Sequence, residues 1–470
     1  RQDCISGGIS MEKEKKMTIK KGEILTDANR KQYIIGERLG TGGQAQVRRV
    51  ILSSTGEEFA CKIYKEDPMG IQKNIEKLIS LGPLKDKDGN ILTEVVSPKI
   101  LVTQDGKEGF GYIMDLVDLD DYATIPQAWS NPAKCPSVKA ICRIIQNLAR
   151  VFEAIHRSYG MCYKDINEGN IYFNPKTGDI KVIDNDNIGI KDTTSILGTP
   201  GYRAPEVVLG DLPDNCSDRF SLAVFAYRLL CGGYPFDGPF TDKYCKSHGQ
   251  EITSGAEKVV YGSEAVFTWH PTDKRNSIVL LSDVKPKGQV QYWMNLPKEI
   301  KELFISTFVT HLAKDKREGR PDNEDWIETF RRIEQTLVKC PHCGAVTFSD
   351  SGRCFECDGD LGTDVAYRHH ALFNILRAGE ASLKLKVQPG DVYTVGKLMK
   401  GMPDDRIFRI LYNKKYDMIG ISNLSTLTWT AIYGDGKRQK VAPGKTVQLK
   451  KAMRIAVMPR TLQINVVDAK

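Results

Sequence analysis

The sequence predicts a multidomain α+β chain that closes on an all-β, sandwich-like domain, and three observations carry that expectation. Residues 31–64 alternate apolar and polar side chains in runs broken by turn residues, while 71–81 and 137–157 repeat apolar residues at helical spacing. Two C-x2-C pairs follow, CPHC at 340–343 and CFEC at 354–357, a spacing that suits a small metal-held unit. From about residue 389 the chain becomes short strand-like runs separated by Gly, Asp and Pro. A chain of 470 residues is too long for one typical domain. The expected divisions are an N-terminal extension (1–30), a strand-rich segment (31–115), a helix-rich segment (116–338), the cysteine unit (339–361), a connector (362–388) and the β domain (389–470).

The extension, RQDCISGGISMEKEKK, has no apolar stretch of the kind a signal peptide needs. It precedes Met11 and Met17 and is set aside from the fold. YIIGERLG then runs into the glycines TGG; QVRRVIL, the turn SSTG and EEFACKIY complete three strands. Ile71, Ile75, Leu78 and Ile79 share one helical face. The clearest amphipathic helix spans 137–157, with the stripe Ile141, Ile144, Ile145, Leu148, Phe152 and Ile155 and with Ser137 as its cap. NIYF, NPKTG and DIKVID read as a hairpin. DRFSLAVFAYRLL, at 218–230, is apolar nearly all round, as a buried helix would be. Further helices are expected at 298–312 and 323–338, and one helical stretch within 362–388. Between 232 and 297 no element is assigned. IFRILY, TWTAIYGDG, TVQL, RIAVM and LQINVV supply the strands of the last domain.

Composition is ordinary for globular protein, at 41% hydrophobic and 27% charged. A net charge of +8 over this length reads as a solvated surface with a slight lysine excess rather than a nucleic-acid footprint. No apolar run approaches the roughly 20 residues that span a bilayer, so no membrane partner is expected. Of twelve cysteines, Cys4, Cys61, Cys135, Cys142, Cys162, Cys216, Cys231 and Cys245 stand singly, most of them in apolar contexts. That usage fits a reducing cytoplasm better than a disulfide scaffold.

The chemistry concentrates in four places. Gly40, Gly42 and Gly43 form a turn between strands, where backbone N–H groups can approach phosphate oxygens. Lys62 lies on the third strand and shares a face with Ala60, and Glu76 on the next helix can pair with it. Asp165 can accept a proton from a hydroxyl nucleophile. Asn170 and Asp184 offer oxygens to a hard cation such as Mg²⁺.

Taken in order, GTGGQAQV, ACK, Glu76, YKDINEGN, VIDND, GTPGYRAPE (198–206) and SDRFSLAV (217–224) resemble the eukaryotic-type (Hanks-like) protein kinase domain over about residues 31–338. The resemblance implies a bilobal fold, with 31–115 as N-lobe and 116–338 as C-lobe, and a hinge at Asp115–Val117 after Met114. ATP would lie against Gly40, Gly42, Gly43, Val47, Ala60, Lys62, Met114, Asp115 and Val117. Lys62 would hold phosphates, anchored by Glu76. Asp165 would be the catalytic base, and Asn170 and Asp184 the ligands of Mg²⁺ or Mn²⁺. Glu206 would pair with Arg320, and Asp218 would brace the catalytic loop. Thr193, Thr194, Ser195 and Thr199 are hydroxyls of the implied activation segment, Asp184 to Glu206. GTPGYRAPE argues for protein substrates, hence an ATP-dependent Ser/Thr protein kinase with autophosphorylation. The rival readings are a nucleotide-binding pseudokinase scaffold and an enzyme of this fold acting on a small molecule or transferring a nucleotide.

Three positions depart from the family pattern. Tyr163-Lys164-Asp165 replaces His-Arg-Asp, Asn167 replaces a lysine, and Asp184-Asn185-Asp186 replaces Asp-Phe-Gly. Each spares the groups that meet metal, phosphate or nucleophile, so activity is expected to survive. These variants resemble a bacterial and phage subgroup, the tellurite-resistance-type operon kinases. That resemblance implies a PP2C-like phosphatase and a von Willebrand A-domain protein as partners.

Cys340, Cys343, Cys354 and Cys357 resemble a zinc ribbon. Four thiolates leave Zn²⁺ no open position, so the site is expected to be structural, with His342 exposed rather than a ligand. The last domain, with VGKLMKG and GDGKRQKVAPGKTVQL, resembles a forkhead-associated β-sandwich. It lacks recognisable Arg and Ser-x-x-His binding elements, so a degenerate sandwich that docks a partner or the kinase is expected.

Overall fold

The computed structural model describes residues 16–17, 19–41, 45–67, 70–189, 198–246, 253–281, 287–361, 370–403, 405–413, 418–458 and 460–469. They form two compact units, one of residues 1–293 and 298–331, the other of 294–297 and 332–470.

In the first unit, alternating side chains build a closed barrel. Its strands are β1 (Ile24–Asp27), β2 (Gln32–Thr41), β3 (Ala45–Leu52), β4 (Glu58–Tyr64), β5 (Ile100–Thr103) and β6 (Phe110–Met114), in the order β1-β2-β3-β4-β6-β5. Every ladder is antiparallel, and β1 closes the ring on β5 through Thr26–Thr103 and Asp27–Val102. Here the expected extension is corrected. Part of it belongs to the barrel: Leu25 and Met17 are buried in the core, and the Met17 N–H donates to Glu108 O at 2.8 Å. EILTD and QYIIG make a hairpin across the turn ANRK, a pattern masked by the charged residues before it.

The helix Ile71–Leu81 buries Ile71, Ile75 and Leu78, as its spacing requires. Val138–Ala154 is capped by Ser137, whose Oγ accepts the Ala140 N–H at 3.2 Å. Ile144, Ile145 and Leu148 on its inner face are fully buried, each contributing about 1.5–3 kcal/mol through removal from water. It packs on the central helix Asn215–Cys231, which Asp214 caps through the Cys216 and Ser217 N–H groups. The hairpin β7 (Ile171–Phe173) and β8 (Ile180–Val182) projects the loops on either side of it towards one place. The unassigned stretch after residue 232 contains the helices Pro239–Lys246 and Lys287–Asn295. It also contributes to an aromatic core in which Trp269 stacks on Trp293 at 5.1 Å and Phe267 meets Tyr227 and Phe308.

In the second unit, β9 (Val338–Lys339) and β10 (Val346–Thr347) pair beneath the cysteine knuckles. The rest is two sheets. One contains β11 (Ala371–Arg377), β12 (Glu380–Val387), β16 (Trp429–Ile432), β17 (Arg438–Val441), β19 (Arg454–Met458) and β20 (Leu462–Ala469), in the order β12-β11-β20-β19-β16-β17. The other contains β13 (Val392–Thr394), β14 (Arg406–Asn413), β15 (Met418–Asn423) and β18 (Thr446–Gln448), in that order. Both contribute to one core, with Phe373, Ile375, Phe408, Ile421, Trp429 and Ile464 inside. The expected connector, 362–388 with one helical stretch, is corrected over its described part, since 362–369 lie outside the described residues. Residues 371–387 are the β11–β12 hairpin, so the sandwich begins well before residue 389. Ala371, Phe373 and Ile375 point inward while Leu372 and Leu376 point out; apolar residues on both faces blurred the two-residue period.

Candidate functional site

Strand β4 carries Lys62 beside Cys61, which is buried and faces the barrel core. The lysine therefore turns the opposite way. On that side Ala60, Met114 and Tyr64 are buried, and Val47, Val117 and Ile183 pack against the same apolar cluster. These residues form an apolar cluster on the Lys62 side of β4, of the chemistry a heterocyclic base can pack against. Met114 ends β6, and Asp115 beyond it is exposed and ion-paired with Lys99. Gly40 pairs with Val47, and a Cβ on it would meet nothing within 4 Å. Gly42 and Gly43 lie outside the described residues, as do Thr193, Thr194 and Ser195.

The loop before β7 holds Asp165. Asp218 of the central helix fixes that loop by accepting the Tyr163 N–H at 2.7 Å and the Lys164 N–H at 3.2 Å. Asp218 also meets His156 Nε2 at 2.9 Å. The buried Tyr163 hydroxyl donates to Ile183 O at 2.8 Å, tying this loop to the next. Asn170 is buried and its amide nitrogen donates to Asp165 O at 3.2 Å, which leaves its oxygen as a ligand atom. Thr199 donates to Asp165 Oδ1 at 2.8 Å, so this hydroxyl of the implied activation segment is engaged with the carboxylate.

Asp184, Asn185 and Asp186 follow β8, with Asp184 in the left-handed region at φ 63°. Lys62 Nζ is ion-paired with Asp184 and, at 2.8 Å, with Asp186 Oδ2. The Tyr64 hydroxyl also donates to Asp186 Oδ2. Burial, and then the charge of Asp186, raise the Asp184 carboxyl to about 6 against the pull of Lys62. Burial disfavours the Lys62 ammonium, but Asp186 and Asp184 outweigh it and raise its pKa. Asn185 is buried and its amide donates to Val96 O at 2.9 Å and Val182 O at 2.8 Å. Polar clamping thus holds this position where the family pattern has an apolar ring.

A family description of the protein kinase domain matches residues 33–314, more than half of the chain. The chain belongs to the protein kinase family. A serine/threonine-protein kinase of Myxococcus xanthus is 24% identical over 224 residues, which are 45% of this chain and 25% of that protein. A probable myosin light chain kinase of Dictyostelium discoideum is 28% identical over 212 residues, 43% of this chain and 57% of that protein. The serine/threonine-protein kinase PknA of Mycobacterium tuberculosis is 24% identical over 221 residues, 44% of this chain and 48% of the relative. The chain thus spans between a quarter and rather more than half of these relatives.

The kinase fold brings together Lys62, Asp184 and Asp186 in one cluster, and Asp165 and Asn170 in the neighbouring loop. It does not bring Glu76 to Lys62, and that expectation is corrected. Glu76 is exposed, with its carboxylate accepting from Gln72 Nε2 at 3.1 Å. It follows the inward-facing Ile75, and one step along a helix is about 100° of rotation, away from the barrel. From the same helix Asn74 instead reaches the loop, donating to Asp186 O at 2.8 Å and Ile188 O at 2.7 Å. Asp186, Asn74 and Tyr64 are the residues sequence reasoning missed. The signal was an acid where the family has glycine. The expected Glu206–Arg320 pair forms, bidentate at 2.7 and 2.9 Å and fully buried.

The donors suit Mg²⁺. Asn170 and Asp184 offer only oxygen, and Asp186 Oδ1 is a buried carboxylate oxygen without a hydrogen-bond partner among the described residues. Crowded carboxylates, one of them already raised to about 6, are a setting that a divalent cation relieves.

The second unit contains a separate cluster of four cysteines able to hold a metal ion. The Sγ atoms of Cys340, Cys343, Cys354 and Cys357 all lie within 4.8 Å of one another. Cys340–Cys357 and Cys343–Cys354 are 3.8 Å apart, and a zinc tetrahedron with 2.3 Å bonds has edges of about 3.8 Å. Two backbone donors support the knuckles: the His342 N–H lies 3.3 Å from Cys340 Sγ and the Gly359 N–H 3.4 Å from Cys357 Sγ. His342 is exposed, and its Nε2 contacts Asp360 O, so it is no ligand. Asn295 donates to Cys354 O at 3.1 Å and to Asp358 Oδ1 at 3.0 Å, pinning the second knuckle.

Proposed function

We propose that this chain is an ATP- and Mg²⁺-dependent serine/threonine protein kinase. The observation that supports it most is the convergence of Lys62, Asp165, Asn170 and Asp184 from three segments of the chain. Asp165, oriented through the loop that Asp218 fixes, accepts the proton of the attacking hydroxyl. Lys62 orients phosphate oxygens. Asn170 and Asp184 hold Mg²⁺, which when bound neutralises phosphate charge. The apolar cluster of Val47, Ala60, Met114 and Val117 seats the base. The buried Glu206–Arg320 pair secures the segment that a protein substrate meets in kinases, which favours protein hydroxyls as acceptors. The chain's own hydroxyls are included. Ten of the described cysteines take part in no disulfide, in keeping with a cytoplasmic site of action. No helix among the described residues is long and apolar enough to cross a membrane. A PP2C-like phosphatase and a von Willebrand A-domain protein rest on the subgroup resemblance alone, and co-purification tests them.

The experiment is intact-protein mass spectrometry after incubation with ATP and Mg²⁺ or Mn²⁺, with Asp165→Asn beside it. Phosphate-sized increments in the wild type alone are expected. Adenylate-sized increments would replace this reading with nucleotide transfer. Increments that persist in Asp165→Asn would remove that residue from its role.

A further inference from the structure

We propose that Asp186 is the standing counter-charge that positions Lys62, taking the role that the family pattern gives to Glu76; the inference rests on the kinase reading above. The side chain of Asp186 is 1% exposed, and that of Lys62 is 14% exposed. A carboxylate buried so deeply is tolerable only with a fixed counter-charge and hydrogen bonds. It has both, in Lys62 Nζ at 2.8 Å and the Tyr64 hydroxyl. The dependence is mutual, because these are also the bonds that direct the ammonium.

The two acids that meet Lys62 differ in setting. The Asp184 side chain is 33% exposed and opens to the cleft. It is the one able to turn to a metal, and in doing so it loosens its hold on the lysine. Asp186 cannot follow. Its backbone is pinned by Asn74 through Asp186 O and Ile188 O, and the preceding Asn185 is clamped to Val96 O and Val182 O. When Asp184 is engaged elsewhere, Asp186 keeps Lys62 in place. Lysine placement therefore depends on this loop and not on a carboxylate delivered by the helix Ile71–Leu81. Asp186 touches no reacting atom in this scheme and is a positioning residue.

The test is binding of trinitrophenyl-ATP with Mg²⁺, measured on the full chain by fluorescence for wild type, Asp186→Asn and Glu76→Gln. Lys62 labelling by an amine-reactive reagent at fixed pH is followed in parallel by mass spectrometry. Asp186→Asn is expected to weaken binding about tenfold or more, the size of effect seen when one partner of a buried charge pair is removed. Lys62 labelling should rise in the same variant, and Glu76→Gln should stay within about twofold of wild type on both readouts. A loss in Glu76→Gln equal to that in Asp186→Asn would overturn the proposal. So would unchanged binding and labelling in a folded Asp186→Asn protein. If Asp186→Asn does not fold, Tyr64→Phe removes one of the two bonds to the carboxylate. It should weaken binding by severalfold, and wild-type affinity there would count against the proposal. Neither readout requires phosphoryl transfer, so failure of the kinase reading is seen separately.

Discussion

The four thiolates of the ribbon come from residues 340–357, whereas Lys62 and the acids it meets are separated by 122 and 124 positions in the chain. The ribbon is a local site. Two tight turns aim its ligands, and two of the Sγ–Sγ spacings equal the edge of a zinc tetrahedron. The cleft is an assembled site. Its charges arrive on a strand, a catalytic loop and a second loop, and Lys62 has two acids to choose between. Local assembly gives one geometry, and that suits a structural metal. Distributed assembly lets partners be exchanged, which a site that binds and releases a nucleotide needs.

That contrast can be tested, starting with the largest effect. Cys354→Ser, or a strong chelator, should strip one zinc per chain and unfold the knuckles, because structural zinc supplies about 10 kcal/mol or more of apparent binding energy at neutral pH. Metal analysis and a thermal melt would show it; intact knuckles without metal would break the comparison. In the cleft, Asp165→Asn should lower turnover by about 10²–10⁴-fold while nucleotide affinity stays near wild type. A parallel loss of affinity would mean that the distributed site behaves as one unit after all. Arg320→Ala strands the buried Glu206 carboxylate and should cost about 3–5 kcal/mol, read from urea denaturation. The smallest effect is pH dependence. The Asp184 pKa is raised, so its ionised form costs the metal-free fold stability above pH about 6. That cost disappears as pH falls and the proton binds. Mg²⁺ needs the ionised form, so kcat/KM at low Mg²⁺ should fall about tenfold per unit below that pH, and added Mg²⁺ should move the break lower. A flat profile between pH 5 and 7 would deny the crowding of Asp184.

The legibility of the sequence follows the same division. CPHC and CFEC bring four thiols together by spacing alone, and His342 stands outside that cluster. Asp218, Glu206 and Arg320 were legible because the family pattern binds each to one partner. Lys62 was placed on the correct face of β4, yet its partner was not foreseen. A helical position says where Glu76 starts but not how far the helix has turned about its axis. In the sequence, Asp186 is visible only as the residue that replaces the family's glycine. Its gain, a charge within reach of a buried lysine, needs the tertiary packing of β4 against the loop. The β11–β12 hairpin was missed for a simpler reason: a strand apolar on both faces looks helical as readily as extended.

The two bonds from Asn74 carry one more consequence. They couple a solvent-facing helix to the main chain on both sides of Asn187. The helix and the loop should then open in a single cooperative event rather than fray separately. In hydrogen–deuterium exchange, amides near Ile75 and Ile188 would lose protection at matching rates, and Asn74→Ala would let the two clocks run apart.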